Sequence, residues 1–231
     1  LDTKLGNSPP IAKFLDPFHG FLALTGSDRL PNDNLNFPDL SETVEVVWDE
    51  RRVPHIFAQN EHDLFFTQGY LTARDRLWQM EFQSMAAAGR LSEIVGEKTL
   101  TFDFYQRRIG MVYAAENALK AMKEYPKLLN LIQSYADGVN RYIQSLDWDE
   151  YPLEYKILDY KPEAWTPLKT FLFSKLMALD LSGRSSDLDY TKLLAKIGYK
   201  NLEDLFPEFP NFIDPVIPKG TSWKTPSLSP I

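Results

Sequence analysis

The chain has 231 residues, 44 % apolar and 25 % charged, as in an ordinary globular domain. Acidic residues outnumber basic ones, 32 to 25, for a net charge of −7, which argues against a nucleic-acid surface built on clustered Lys and Arg. The absence of cysteine excludes disulfides, thiolate catalysis and cysteine metal sites, and no apolar run approaches the roughly 18 residues of a membrane span. The first residue is Leu1 rather than Met. The chain is therefore expected to be a processed product whose signal has been removed, in a periplasmic or secreted protein. Aromatic residues make up 13 % of the chain; they supply large contact areas, a hint that the chain packs against something besides itself.

Residues 1–42, rich in Pro, Asn, Gly and Asp, read as an extended arm with at most one helical turn. Residues 43–58 read as a β-hairpin: the stretch from Val44 to Val47 follows a two-residue period, and Asp49, Glu50 and Arg51 form a polar turn. Residues 61–95 carry the clearest helical pattern. Phe66, Tyr70, Ala73, Leu77, Met80, Ser84, Ala87 and Leu91 recur every three or four positions and trace one face, with a break at Gly89 or Gly96. A second helical stretch is predicted over 112–146, interrupted at Pro126. Residues 151–167 read as an aromatic, proline-rich loop. Thr166-Pro167 then starts a helix to Leu181, since the hydroxyl caps and proline suits the first helical position. Another helix is expected from Asp187 to about Gly198. From Phe206 onward repeated prolines forbid regular structure, giving a second arm. The domain proper is thus placed at 43–205, between a first arm at 1–42 and a Pro-rich arm at 206–231. A lone hairpin is marginal by itself and is expected to join a sheet that another chain supplies.

His19, His55 and His62 have no ligand-like spacing, and no GxSxG, P-loop or HExxH motif occurs. From the residues alone no nucleophile–base pair can be named. In ARDRLWQMEF, residues 73–82, Arg74, Trp78 and Glu81 fall on one side of a helix. Trp78 and Met80 argue for burial, and buried charges need partners, so a buried structural ion-pair network is expected there.

Several segments taken together resemble the α chain of the penicillin acylase family. They are VPHIFA at 53–58; Gly69-Tyr70 with ARDRLWQME at 73–81; Gly89-Arg90-Leu91-Ser92-Glu93 with Gly96; YADGVN at 135–140 with Tyr142-Ile143; and PLEY at 152–155 with Pro162-Glu163 and WTP at 165–167. The order is that of the family, over roughly residues 43–195. Arg51-Arg52 departs from it, since relatives often have a glycine before VPH.

The resemblance implies an α+β protein, a mostly helical α subunit contributing its hairpin to an αββα N-terminal-nucleophile hydrolase core that a β chain completes. Autoproteolysis would remove a spacer beyond the second arm and expose a serine at the start of the β chain, whose own α-amine serves as base. An α-amine has an unperturbed pKa near 7.7–8.0, so it can take the hydroxyl proton near neutral pH without a histidine. By the same resemblance Met177 and Leu181 line the acyl pocket. Where Leu181 and Asp180 stand, the penicillin G type has an aromatic residue and an arginine, which turns the expectation away from penicillin G. Both apolar residues can equally be core. Asp187 stands where relatives carry a glutamate that ligates a structural Ca²⁺; helix capping by Ser186 or Asp187 is the plain alternative. The implied activity is hydrolysis of the acyl amide bond of small N-acylated substrates. The competing reading is a non-catalytic helical interaction module that retains the scaffold.

Overall fold

The computed structural model describes residues 9–24, 34–182, 186–207, 217 and 220–222. Two compact units divide at Ser182 and Gly183, inside the span 43–205 that the sequence suggests as one domain. The first unit is mostly helical with one small sheet.

In the first unit a short helix α1 (Pro10–Leu15) and a 3₁₀ turn (Phe21–Leu24) precede the hairpin. Both lie against α7 (Leu153–Leu158). Lys156 is fully buried and donates its three N–H bonds to His19 O, Gly20 O and Asp149 O, at 3.2, 2.9 and 2.8 Å. This stretch of the arm is therefore docked on the chain's own body; most of the second arm lies outside the described residues.

Strands β1 (Glu45–Trp48) and β2 (Pro54–Phe57) pair antiparallel, Glu45 with Phe57 and Trp48 with Pro54. The two-residue period sends Val46, Trp48, Pro54 and Ile56 inward and leaves Val47 and Phe57 exposed. Asp49 builds the turn, its Oδ1 accepting from Arg51 N and Val53 N, each at 2.9 Å. Arg52 sits at φ 61, the left-handed region that costs a residue with a Cβ roughly 1–2 kcal/mol. Arg52→Gly is expected to stabilise the protein by about 1 kcal/mol, read as a higher melting temperature; a lower one would mean that the arginine side chain outweighs the strain.

Helix α2 (Glu61–Ala88) opens with Asn60, whose side chain accepts from Asp63 N at 2.8 Å, and bends at Arg76 (φ −143, ψ 20). The face traced by the spacing is buried except for half-buried Tyr70. Gly89 ends α2 in the left-handed conformation, and α3 (Ser92–Val95) is a separate turn, so the expected helix over 61–95 is two pieces. The second expected stretch resolves into α5 (Met111–Met122) and α6 (Pro126–Ser145). Helix α4 (Leu100–Arg108) was not foreseen, and α7 lies inside the segment read as loop. Thr166 Oγ accepts from Lys169 N at 3.4 Å to open α8 (Pro167–Leu181), as the Thr-Pro pair predicts.

The principal packing is α2 across α6, with Ala73, Leu77 and Met80 facing Ala136 and Val139, closed by Tyr155 and Trp165. At the crossing the backbones nearly touch. A Cβ on Gly69 would lie 2.1 Å from Tyr135 O, and one on Gly138 1.9 Å from Phe66 O. A second cluster joins the end of α2 to α5 and α8 through Ala87, Met111, Ala115 and Leu172. The described part of the second unit is chiefly α9 (Asp187–Leu205), broken at Gly198 (φ 76, ψ 164), and none of its residues is buried.

Candidate functional site

The residues singled out from the sequence fall in two places. Met177 and Leu181, four positions apart, share one face of the last turns of α8. Nearer its start α8 is anchored by buried Leu172, but Met177 is 39 % exposed and Leu181 76 %. Neither is a core residue of this chain. Burying such side chains requires another surface. Asp180, between them, is exposed as well.

Asp187 is exposed at the first position of α9, in the other unit. Ser186 makes no side-chain cap bond. Among the described residues no group of three His, Asp or Glu side chains could hold a metal ion. Calcium takes about six to eight oxygen ligands, and this helix start offers only the Asp187 and Asp189 carboxylates in its first turn. The described residues alone do not make a calcium site; Asp187 can be at most one ligand of a shared one.

The histidines sit apart, each beside its own aspartate: His19 Nδ1 and Asp16 Oδ1 at 2.9 Å, His55 Nε2 and Asp49 Oδ2 at 3.6 Å, His62 Nδ1 and Asp63 Oδ1 at 2.9 Å. His19 lies in a turn, His55 on β2 beside the hairpin turn, and His62 at the start of α2.

The motifs behind the resemblance build the scaffold. Glu81 is 2 % exposed; the Tyr155 hydroxyl donates to its Oε2, and Glu163 N to its Oε1 at 3.1 Å. Burial pushes the Glu81 carboxyl above the usual range despite these bonds. Glu163 in turn receives Arg90 at 2.7 and 3.2 Å and pairs with Lys169 at 3.1 Å. The hydrogen bonds from Arg90 chiefly, against the opposing pull of burial, hold its carboxyl at about 2. Asn140 grips the Trp165 backbone twice, accepting from its N at 2.7 Å and donating to its O at 2.9 Å. The ion pairs expected around Arg74, Trp78 and Glu81 are thus displaced. Arg74 pairs with Asp75 at 2.9 Å and stacks on Trp48, while Glu81 meets neutral donors and the ion pairs form one step away, at Glu163.

Asp63 is a further node that the sequence reading missed, although Asn60 three residues earlier was a signal. Fully buried, it accepts from Ser41 N, Glu42 N and Asn60 Nδ2 at 3.0, 2.9 and 2.6 Å. It thereby ties the segment before the hairpin to the start of α2. Burial alone would raise its carboxyl, but the bonds from His62, Ser41, Asn60 and Glu42 outweigh it and hold it at about 2.

Comparison with known proteins agrees with this scaffold. Residues 43–223 match the penicillin amidase family profile. The chain is 30 % identical to penicillin G acylase of Escherichia coli over 161 residues, 68 % of this chain and 19 % of that protein. It is 31 % identical to the acyl-homoserine lactone acylase QuiP of Pseudomonas syringae pv. syringae over 220 residues, 88 % of this chain and 26 % of that protein. The chain therefore spans about a fifth to a quarter of the length of these curated relatives. A solved chain of the thermostable penicillin G acylase from Alcaligenes faecalis superimposes with a TM-score of 0.60 at 24 % identity, covering 80 % of this chain and 98 % of that one, which shows a shared fold. With the family profile matched over most of its length and the signature residues forming the scaffold, the chain belongs to the penicillin amidase family.

Proposed function

We propose that the chain is the α subunit of a secreted or periplasmic heterodimeric amidohydrolase that cleaves the acyl amide bond of small N-acylated substrates, through an acyl-enzyme on the N-terminal serine of a partner β chain. One contrast carries the reading. A solved penicillin G acylase chain is matched over 98 % of its own length, whereas two curated relatives are matched over only 19 % and 26 % of theirs, as expected if enzymes of this family carry the matched region on a separate mature chain. The relative named penicillin acylase 2 proenzyme, from Pseudomonas sp. (strain SE83), 32 % identical over 146 residues, supports such processing. Names among the relatives cover penicillin acylases and acyl-homoserine lactone acylases, so the substrate is a β-lactam side-chain amide, an acyl-homoserine lactone or a similar acyl amide. The hairpin's exposed Val47 and Phe57 suit a sheet completed by the β chain into an αββα core.

The competing reading, a helical interaction module, predicts no catalytic partner. The reading frame beyond Ile231 separates the two: a spacer followed by a segment beginning with serine fits the enzyme, and an immediate stop codon fits the module.

Exposed Met177 and Leu181 are assigned to the acyl pocket. Leu181→Phe is expected to move kcat/KM toward phenylacetyl and away from aliphatic acyl groups by roughly 10-fold or more, since one pocket-filling change is worth about 1–3 kcal/mol in discrimination. An unchanged acyl preference would remove Leu181 from the pocket. Asp187 is assigned as this chain's ligand to a structural Ca²⁺ shared with the β chain. Asp187→Asn should lower the calcium content of the assembled enzyme and its chelator-sensitive stability, because a hard cation prefers a charged oxygen; identical calcium content would leave Asp187 as a helix-start residue only.

A further inference from the structure

We propose that the open face of α2 is the seat of the partner β chain and that Arg76, at the bend, takes a carboxylate of that chain; the inference rests on the two-chain reading above. Sharp bends in helices arise at proline, at Gly/Ser pairs or where a group inserts into the ladder. Between Gly69 and Ser84, α2 holds no proline, glycine or serine, so its local sequence gives no reason to break at Arg76. The break falls on the residue whose charge is unmatched. Arg74 takes the Asp75 carboxylate, Nε to Oδ1 at 2.9 Å. Arg76 forms no ion pair among the described residues; its Nη1 reaches Asp75 O at 3.4 Å, longer than a normal N–H···O bond. A guanidinium presents a fork of N–H donors that fits a carboxylate, and most of this fork stays open.

Hollows lie on both sides of the bend. One, of about 240 Å³, is walled by Met80, Tyr135, Trp165 and Phe173. The other, of about 730 Å³, is walled by Val53, Pro54 and Leu64, and Thr72 and Arg76 line both. From 62 to 84 the exposed residues of α2 are His62, Leu64, Gln68, Asp75, Arg76 and Gln79. Lysine and glutamate are absent from that exposed set, as they are depleted at protein interfaces, where arginine is enriched and often central to the binding energy. Charge decides the occupant. In a symmetric pair of this chain the face would meet itself, and its one exposed carboxylate, Asp75, is already held by Arg74. A different chain supplies the missing acid. The matched region is 19 % and 26 % of two curated relatives, so most of such a protein lies outside it and offers the surface. Phe173 also stands one helical turn before Met177 on α8, so the smaller hollow leads toward the residues assigned to the acyl pocket.

The test uses the protein purified with every chain that accompanies it. The photo-crosslinking residue p-benzoylphenylalanine replaces Gln79, beside the smaller hollow, and cross-linked peptides are identified by mass spectrometry. The expected product joins this chain to a second, different chain. Arg76→Gln, which removes the charge, should speed separation of the two chains in urea by about 10-fold or more, because losing one member of a desolvated charge pair acts mainly on dissociation. Arg76→Lys keeps the charge but not the fork and should fall between. The cross-link is read with Arg76 intact, so it decides even if the Arg76→Gln protein does not assemble. With a second chain present, a cross-link to another copy of this chain, no cross-link from position 79, or wild-type separation in Arg76→Gln would overturn the proposal and leave the two-chain reading standing. A protein that purifies as this chain alone would overturn both.

Discussion

Replacing Gly138 by alanine is expected to destabilise the protein by about 3 kcal/mol or more, a fall in melting temperature of roughly 6–12 °C. In an ordinary helix the same change is favourable by about 1 kcal/mol, because alanine is the better helix former. Here the new methyl carbon would stand 1.9 Å from Phe66 O and 3.0 Å from Tyr70 N. Those are backbone atoms of α2 that no rotamer change can move. The two helices must part, and the contacts of Ala73, Leu77, Met80, Ala136 and Val139 loosen together. Gly69→Ala should behave alike, since its Cβ would meet Tyr135 O at 2.1 Å. Thermal unfolding of the assembled protein checks both; an unchanged or raised melting temperature would mean that the crossing is less tight than described.

Removing the Asp63 carboxylate should cost a similar amount, about 3 kcal/mol for Asp63→Ala, because two backbone N–H groups and an amide lose a charged acceptor in a site closed to water. The pH dependence has a definite sign. The carboxyl is held at about 2, below the unfolded value of about 3.9. The stability it contributes is therefore fully present above the unfolded value. It fades as pH falls from about 4 and is gone once the folded value is passed, amounting to at most about 2–3 kcal/mol. Asp63→Asn should flatten the stability profile between pH 5 and 2 relative to the wild type. Equal slopes would assign that acid sensitivity to other carboxylates.

The elements that periodicity reveals are those buried along one face. Residues 66–91 repeat every three or four positions because α2 lies in the core. Helix α4 escaped notice because only Asp103 and Gln106 are buried along it, both polar, so no apolar stripe exists to read. Helix α7 is only six residues long, between Pro152 and the left-handed Asp159, too short for a period. The site was less legible. The motif containing Glu81 advertised buried charge, but Tyr155 and Glu163 lie more than seventy residues further on, and local spacing cannot supply such pairings. Met177 and Leu181 looked like either pocket or core, since an apolar pair at helical spacing has one appearance in both. Only their exposure shows that this chain does not bury them.

The central claim is that the attacking group lies on another chain. Its most direct test is to treat the purified protein with phenylmethylsulfonyl fluoride or a slowly hydrolysed acyl substrate, and to weigh every chain by mass spectrometry. The account predicts two chains from one precursor, with the adduct on the N-terminal serine of the second and none on the chain described here. An adduct on this chain, or amide hydrolysis by a single uncleaved polypeptide, would contradict it.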